Sequence, residues 1–175
     1  MVQTRKMKRR AASLLEIILG LPVLLILLFA VIQFGLLQAN QQTLKMASRA
    51  GALAATELVI NPSDTIPPPE VLAAINEVLQ ESGLIDSGET IQGVGAVHLR
   101  YLVYDNGAGM DVPGIASVGT GCDPPSPPTL TAQYVQVTVC LPATRLTPNT
   151  MAPFGVDFSS RYVSETSLFR HELVP

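Results

Sequence analysis

The chain has 175 residues, long enough for one small domain beside an anchoring helix and too short for two sizeable domains. Charged residues make up only 14% of it and aromatics 5%, with no Trp, which argues against a broad aromatic binding surface. The net charge of -3 hides a basic head, since Arg5, Lys6, Lys8, Arg9 and Arg10 stand unopposed while six Lys/Arg face fourteen Asp/Glu thereafter. An acidic remainder excludes a nucleic-acid or other polyphosphate partner for the body of the protein.

From Ile17 to Leu44 no residue is charged. The run IILGLPVLLILLFAVIQFGLLQ, at ~1.5 Å per helical residue, is long enough to cross a hydrocarbon core of about 30 Å. Basic residues just before it predict a cytoplasmic N-terminus and an extracytoplasmic C-terminus. A cleaved secretory signal has a shorter apolar core, and a buried soluble helix has a polar face that this run lacks. Pro22 lies about one turn inside and predicts a local loosening of the helix.

The pattern then becomes amphipathic. Leu37, Leu44, Ala47, Gly51, Ala54 and Leu58 recur at helical spacing, with Gln41, Lys45, Ser48 and Glu57 between them. Small residues in this stripe permit close approach, either to another helix or to the chain's own domain. Asn61-Pro62 is the expected end of the helix.

Glu16 stands at the start of the apolar run, where a carboxylate needs an explanation. One reading is an interfacial acid, hydrated or paired with Arg9 or Arg10. The other depends on its context, RRAASLLEIILGLPVLLILLFAVIQFG, in which basic residues, small residues, an acid and a long apolar helix follow in order. This order resembles the class III signal of type IV pilin-like proteins. More closely, Arg10, Ala12, Ser13, Glu16, Leu21-Pro22, Phe34-Gly35 and Ala47-Ser48-Arg49-Ala50-Gly51-Ala52 resemble the TadE/TadG-like minor pilins (pseudopilins) of the tight-adherence, or Flp, pilus system. The likeness covers about residues 8–56, with a fainter echo in SETSLFRHEL at Arg170 and Glu172.

The resemblance implies cleavage by a prepilin peptidase between Ala11 and Ala12, which would make Glu16 the fifth residue of the mature chain. It also implies other pilins and an inner-membrane pilus platform as partners, in addition to membrane lipid. In that setting the Glu16 carboxylate could neutralise the new ammonium of a neighbouring subunit and set packing register. The chain departs from the pattern at Ala11, where such peptidases prefer Gly, and at Ile17, where the family often has Phe or Tyr.

Residues 61–69 form a stiff Pro-rich linker. A helix follows over PEVLAAINEVLQE, with Pro69 and Glu70 at its start, Val71, Ala74, Ile75, Val78 and Leu79 on one face, and Gly83 as its stop. Alternation predicts strands over 94–104, 133–141 and 160–171. The long Gly/Pro stretch over 105–131 reads as a loop, either a variable surface or a contact site. Cys122 and Cys140, the only cysteines, suggest a disulfide outside the cytoplasm, with two free thiols as the other reading.

The expected fold class is α+β: a long transmembrane helix with an amphipathic extension, then a small pilin-like domain of one helix and about three antiparallel strands. Its expected parts are a leader over 1–11, the membrane helix and extension over 12–60, the linker over 61–69 and an extracytoplasmic domain over 70–175. No phosphate loop, nucleophile elbow or metal-ligand spacing emerges; His98 and His171 are isolated in sequence. We therefore expect no enzyme activity, no cofactor and no metal. The expected function is assembly of a bacterial surface pilus from the inner membrane, and the competing one is a monomeric membrane-tethered binding module.

Overall fold

The computed structural model describes residues 3–58, 65–105, 108–110, 115–126 and 134–170, with side chains at 16–58, 65–101, 116–126 and 134–170. Asn61-Pro62, most of the linker, Asp111, His171 and Glu172 lie outside the described residues.

One helix, α1, runs from Gln3–Thr56 without a break and includes Pro22. Its first described side chains are apolar and exposed on every side, with Ile18 69%, Leu24 65% and Val31 70% exposed. No domain surface covers them. From Gln33 onward one side of the same helix is buried, and Leu44, Ala47, Ser48, Ala52 and Ala55 are fully so. The small-residue stripe therefore packs against the chain's own domain. The helix stops at Thr56, short of the Asn-Pro pair. There the Thr56 hydroxyl donates to the Leu53 carbonyl at 2.7 Å, and the Glu57 amide reaches back only three residues, to Ala54, at 3.3 Å. Such bonds tighten and end a last turn.

Helix α2, Pro69–Glu81, follows the sequence expectation closely. Pro69 needs no amide partner in the first turn. At the other end Gly83 adopts φ +71°, the Gly83 amide donates to Gln80 at 3.0 Å and the Leu84 amide donates to Leu79 at 3.0 Å. This pair of bonds is the Schellman closure that a left-handed glycine allows. The buried face is Val71, Leu72, Ile75 and Leu79. Ala74 and Val78 are half-buried, so the face is turned slightly toward Leu72 relative to the expected one.

A short turn, α3 (Ile91–Val94), leads into the sheet, whose strands are β1 (Ala96–Asp105), β2 (Ala108–Met110), β3 (Ile115–Gly119), β4 (Tyr134–Pro142) and β5 (Tyr162–Arg170). All pairings are antiparallel: β4 lies between β1 and β5, while β2 and β3 share the outer edge of β1. The three long strands coincide with the three expected from alternation. Strands β2 and β3 correct the reading of 105–131 as a structureless loop. Met110 pairs with Val103 and Ile115 with Arg100.

One sheet face meets the helices. Val97, Leu99, Val135, Val137, Val139 and Leu141 are buried there with the α2 face and the small side of α1. The closest approach is at Gly51 of α1. A Cβ built on it would lie 2.6 Å from Ile75 Cγ1 and 3.4 Å from Val137 Cγ1. Helix, helix and sheet thus meet where one residue has no side chain. A buried polar tie lies one turn away, where the Ser48 and Ser167 hydroxyls are 2.7 Å apart.

Gly51→Ala is expected to lower domain stability by about 1 kcal/mol, because overpacking of roughly 1–3 kcal/mol outweighs a helix-propensity gain of roughly 1 kcal/mol. In the double variant with Ile75→Ala the two losses should fall well short of additivity, since the alanine removes the atoms that clash. Chemical unfolding in detergent, followed by circular dichroism, measures both; strict additivity would mean that Gly51 and Ile75 are not coupled.

Candidate functional site

Two groups of residues carry chemistry: the N-terminal half of α1 and the outer face of the sheet. Glu16, at the head of the apolar run, is exposed. Ala11 and Ala12 fall within the range of α1, and their side chains lie outside those described. Nothing in the fold of the domain approaches this end of the helix among the described residues.

The next polar side chain along α1 is Gln33, and it is 3% exposed. The segment between β4 and β5 covers it. That segment opens with a short helix, α4 (Ala143–Leu146), and continues through a 3-10 turn at Ala152–Phe154. The Thr147 hydroxyl donates to the Gln33 carbonyl at 3.3 Å, and the Thr150 hydroxyl donates to Gln33 Oε1 at 3.1 Å. Further along, the Asn40 amide donates to the Leu146 carbonyl. Asp157 braces the segment by accepting from the Ser159 amide at 2.9 Å, from Asn149 Nδ2 at 2.7 Å and from the Ser159 hydroxyl at 2.9 Å. These bonds, the Ser159 amide first, hold its carboxyl below the usual aspartate range. At the other end of the segment Arg145 grips Glu89 with two parallel bonds of 3.0 and 3.1 Å.

On the outer sheet face, Cys122 and Cys140 form a disulfide, with Cα atoms 6.3 Å apart. Of the two readings of the cysteines, free thiols are excluded in this structure. The bridge pins the chain after β3 onto β4, which is buried on both faces although its outward residues are Gln136, Thr138 and Cys140. His98 lies beside it: Nδ1 is 2.9 Å from the Ser117 hydroxyl and Nε2 is 2.7 Å from the Cys122 carbonyl. Gly121 makes room for the ring of Tyr162, which would otherwise be 2.6 Å from its Cβ.

His98, Cys122 and Cys140 have their ligand atoms within 4.8 Å of one another, a clustering that separations of 24 and 18 residues in the chain do not suggest. The sulfurs are bonded to each other, however, and a disulfide offers no thiolate to a metal. The arrangement is a structural clamp. A signal for the β1–β2 pairing, though not for this clamp, was present in the sequence, because Asn106-Gly107 is a favoured two-residue hairpin pair and stands between the partners Asp105 and Ala108.

The protein is thus a single-pass membrane protein whose small α+β domain is built onto the extension of its own membrane helix. Residues 11–53 match the family described as TadE-like protein. No curated protein and no solved structure matches the chain.

Removing the bridge by Cys122→Ser is expected to cost about 3 kcal/mol, the chain-entropy value for a loop of this size. Reduction of the native protein should give the same shift in urea midpoint. An unchanged midpoint in both would show that the bridge does not constrain the unfolded chain.

Proposed function

We propose that this protein is a minor pilin-like or pseudopilin-like subunit that takes part in assembling a bacterial tight-adherence pilus. The observation that carries this reading is the division of α1. Its distal half forms part of the domain core, whereas its proximal half presents an apolar surface on all sides, and the TadE-like match over residues 11–53 spans both. A helix of this kind fits a subunit that is held in lipid until it packs among other helices. Because the small-residue stripe faces inward, intersubunit contact falls to residues 17–36 and the outward faces of α1.

In this reading the N-terminus is cytoplasmic, the domain lies outside the inner membrane, and the disulfide belongs to an oxidising compartment. A prepilin peptidase acts between Ala11 and Ala12, and Glu16 meets the released amine of a neighbour. Pairing two charges in low dielectric penalises every register that leaves one unpaired. The protein acts with a major pilin and an inner-membrane platform, and performs no catalysis itself.

Mass spectrometry of protein purified from a native host should show a mature chain beginning at Ala12. An intact Met1 end in assembled material would contradict the processing step. Glu16→Ala should insert in the membrane normally yet fail to enter pili, as read by blotting of sheared surface fractions. Normal assembly of that variant would remove the register role, and membrane-bound protein that never enters a pilus would favour the tethered binding module instead.

A further inference from the structure

The end of the domain nearest the membrane helix carries a surface with no role in the fold. Between Arg145 and Asp157 the chain is LTPNTMAPFGV, without a charge. Phe154 is 52% exposed and Val156 40% exposed. Thr147 and Thr150 of the same segment are bonded to Gln33, the earliest residue of α1 that the domain covers. The remaining core contacts of α1 begin farther along, at Leu37 and Leu44.

The height of this segment relative to a bilayer follows from helix geometry. If Glu16 marks one boundary of the hydrocarbon, a core of about 30 Å spans about 20 helical residues and ends near Leu36. The sequence gives the same limit independently, since Gln33 is the only polar side chain between Ile17 and Leu37, and Gln38, Asn40, Gln41 and Gln42 follow closely. Gln33 thus lies inside the boundary or at it, and whatever is bonded to Gln33 lies at that depth too.

We infer that the 148–158 segment is a membrane-contacting element, with Phe154 and Val156 seated in the interfacial layer of the bilayer on the side of the domain. The inference depends on the membrane span and not on the pilus reading. The chemistry suits that layer. Exposed aromatic and aliphatic side chains gain from partial burial there. The backbone is already satisfied: the Phe154 amide donates to Met151 at 2.9 Å, Gly155 to Ala152 at 3.0 Å and Val156 to Met151 at 3.3 Å. The one charge, Asp157, is held by three hydrogen bonds from Asn149 and Ser159. Thr147 and Thr150 meanwhile shield the Gln33 carbonyl and side-chain oxygen from lipid. Between the segment and α1 lies an open groove lined by Leu37, Val156, Phe158 and Val163 together with the charged Asp157 and Arg161.

The protein has no Trp, so Phe154→Trp supplies a single reporter at an exposed site where the ring replaces a ring. The full chain carrying this change is reconstituted in phosphatidylcholine vesicles, with Glu81→Trp, on exposed α2 surface, as the comparison. Phe154→Trp should emit to the blue of Glu81→Trp, resist acrylamide, and lose most of its emission when the acyl chains are brominated near the headgroup. Val156→Trp is an independent second reporter and should behave alike. Emission at the aqueous wavelength with no bromolipid quenching, at both positions, overturns the inference. Protection from acrylamide that appears only at high protein density, without bromolipid quenching, also overturns it and assigns the surface to a second copy.

Discussion

Everything else in this molecule depends on how closely α1 can lie against the sheet. Gly51 is where α2 comes too near for any side chain, since a Cβ there would lie 2.6 Å from Ile75 Cγ1, while Val137 of β4 stands at ordinary contact distance, 3.4 Å. Ala47, Ala52 and Ala55 extend the same thin surface along the helix, and all three are fully buried. Larger residues would lift α1 off the sheet and expose the valines of β4 on the inner face. The domain is therefore not a globule tethered by a helix. Its core includes the helix, and a chain cut after residue 56 would leave Ile75, Val135 and Val137 facing water, at roughly 1.5–3 kcal/mol for each large apolar side chain left exposed.

The same helix lies in two solvents. Over residues 17–32 it is a helix that offers only apolar side chains, as a bilayer requires. Its distal half is amphipathic, with small residues toward the sheet and Lys45 and Arg49 exposed. Polar ties mark the passage between the two regimes. Gln33 takes bonds from Thr147 and Thr150, Asn40 reaches Leu146, and Ser48 meets Ser167 across the core. Directional bonds of this kind fix the axial position of the domain on the helix, which packing of small residues alone leaves free to slide.

Where local periodicity and turn chemistry agreed, the fold was legible before any coordinates. Helix α2 has a proline start, a regular apolar face and a glycine stop, and the three long strands alternate cleanly. Strands β2 and β3 were not legible, because AGM and IASVG are too short and too rich in small residues to show an alternating pattern. The Asn106-Gly107 pair was the signal to weigh more heavily. The burial of outward-facing Gln136 and Thr138 was equally hidden, since polar residues alternating with valines read as a solvated face. The role of Gln33 was masked for the opposite reason. Within an apolar run it reads as an exception tolerated by lipid, and its partners lie 114 and 117 residues away.

The division of α1 restricts how such a chain can associate with others. Ala and Gly faces are the usual means of close helix contact in a membrane, but here the domain occupies that face beyond Leu44. A neighbouring helix must use the bulkier surface over 17–36, or Met46 and Leu53, which stand 62% and 51% exposed on the outward side. Contacts between bulky side chains hold helices farther apart than small-residue seams. In the proposed assembly register is set by a charged group, and Glu16 is the one acid on the proximal half of the helix. Leaving lipid would also strip Phe154 and Val156 of their apolar surroundings. An assembled neighbour that covers the helix has to cover that segment as well, so helix extraction and domain contact are one event rather than two.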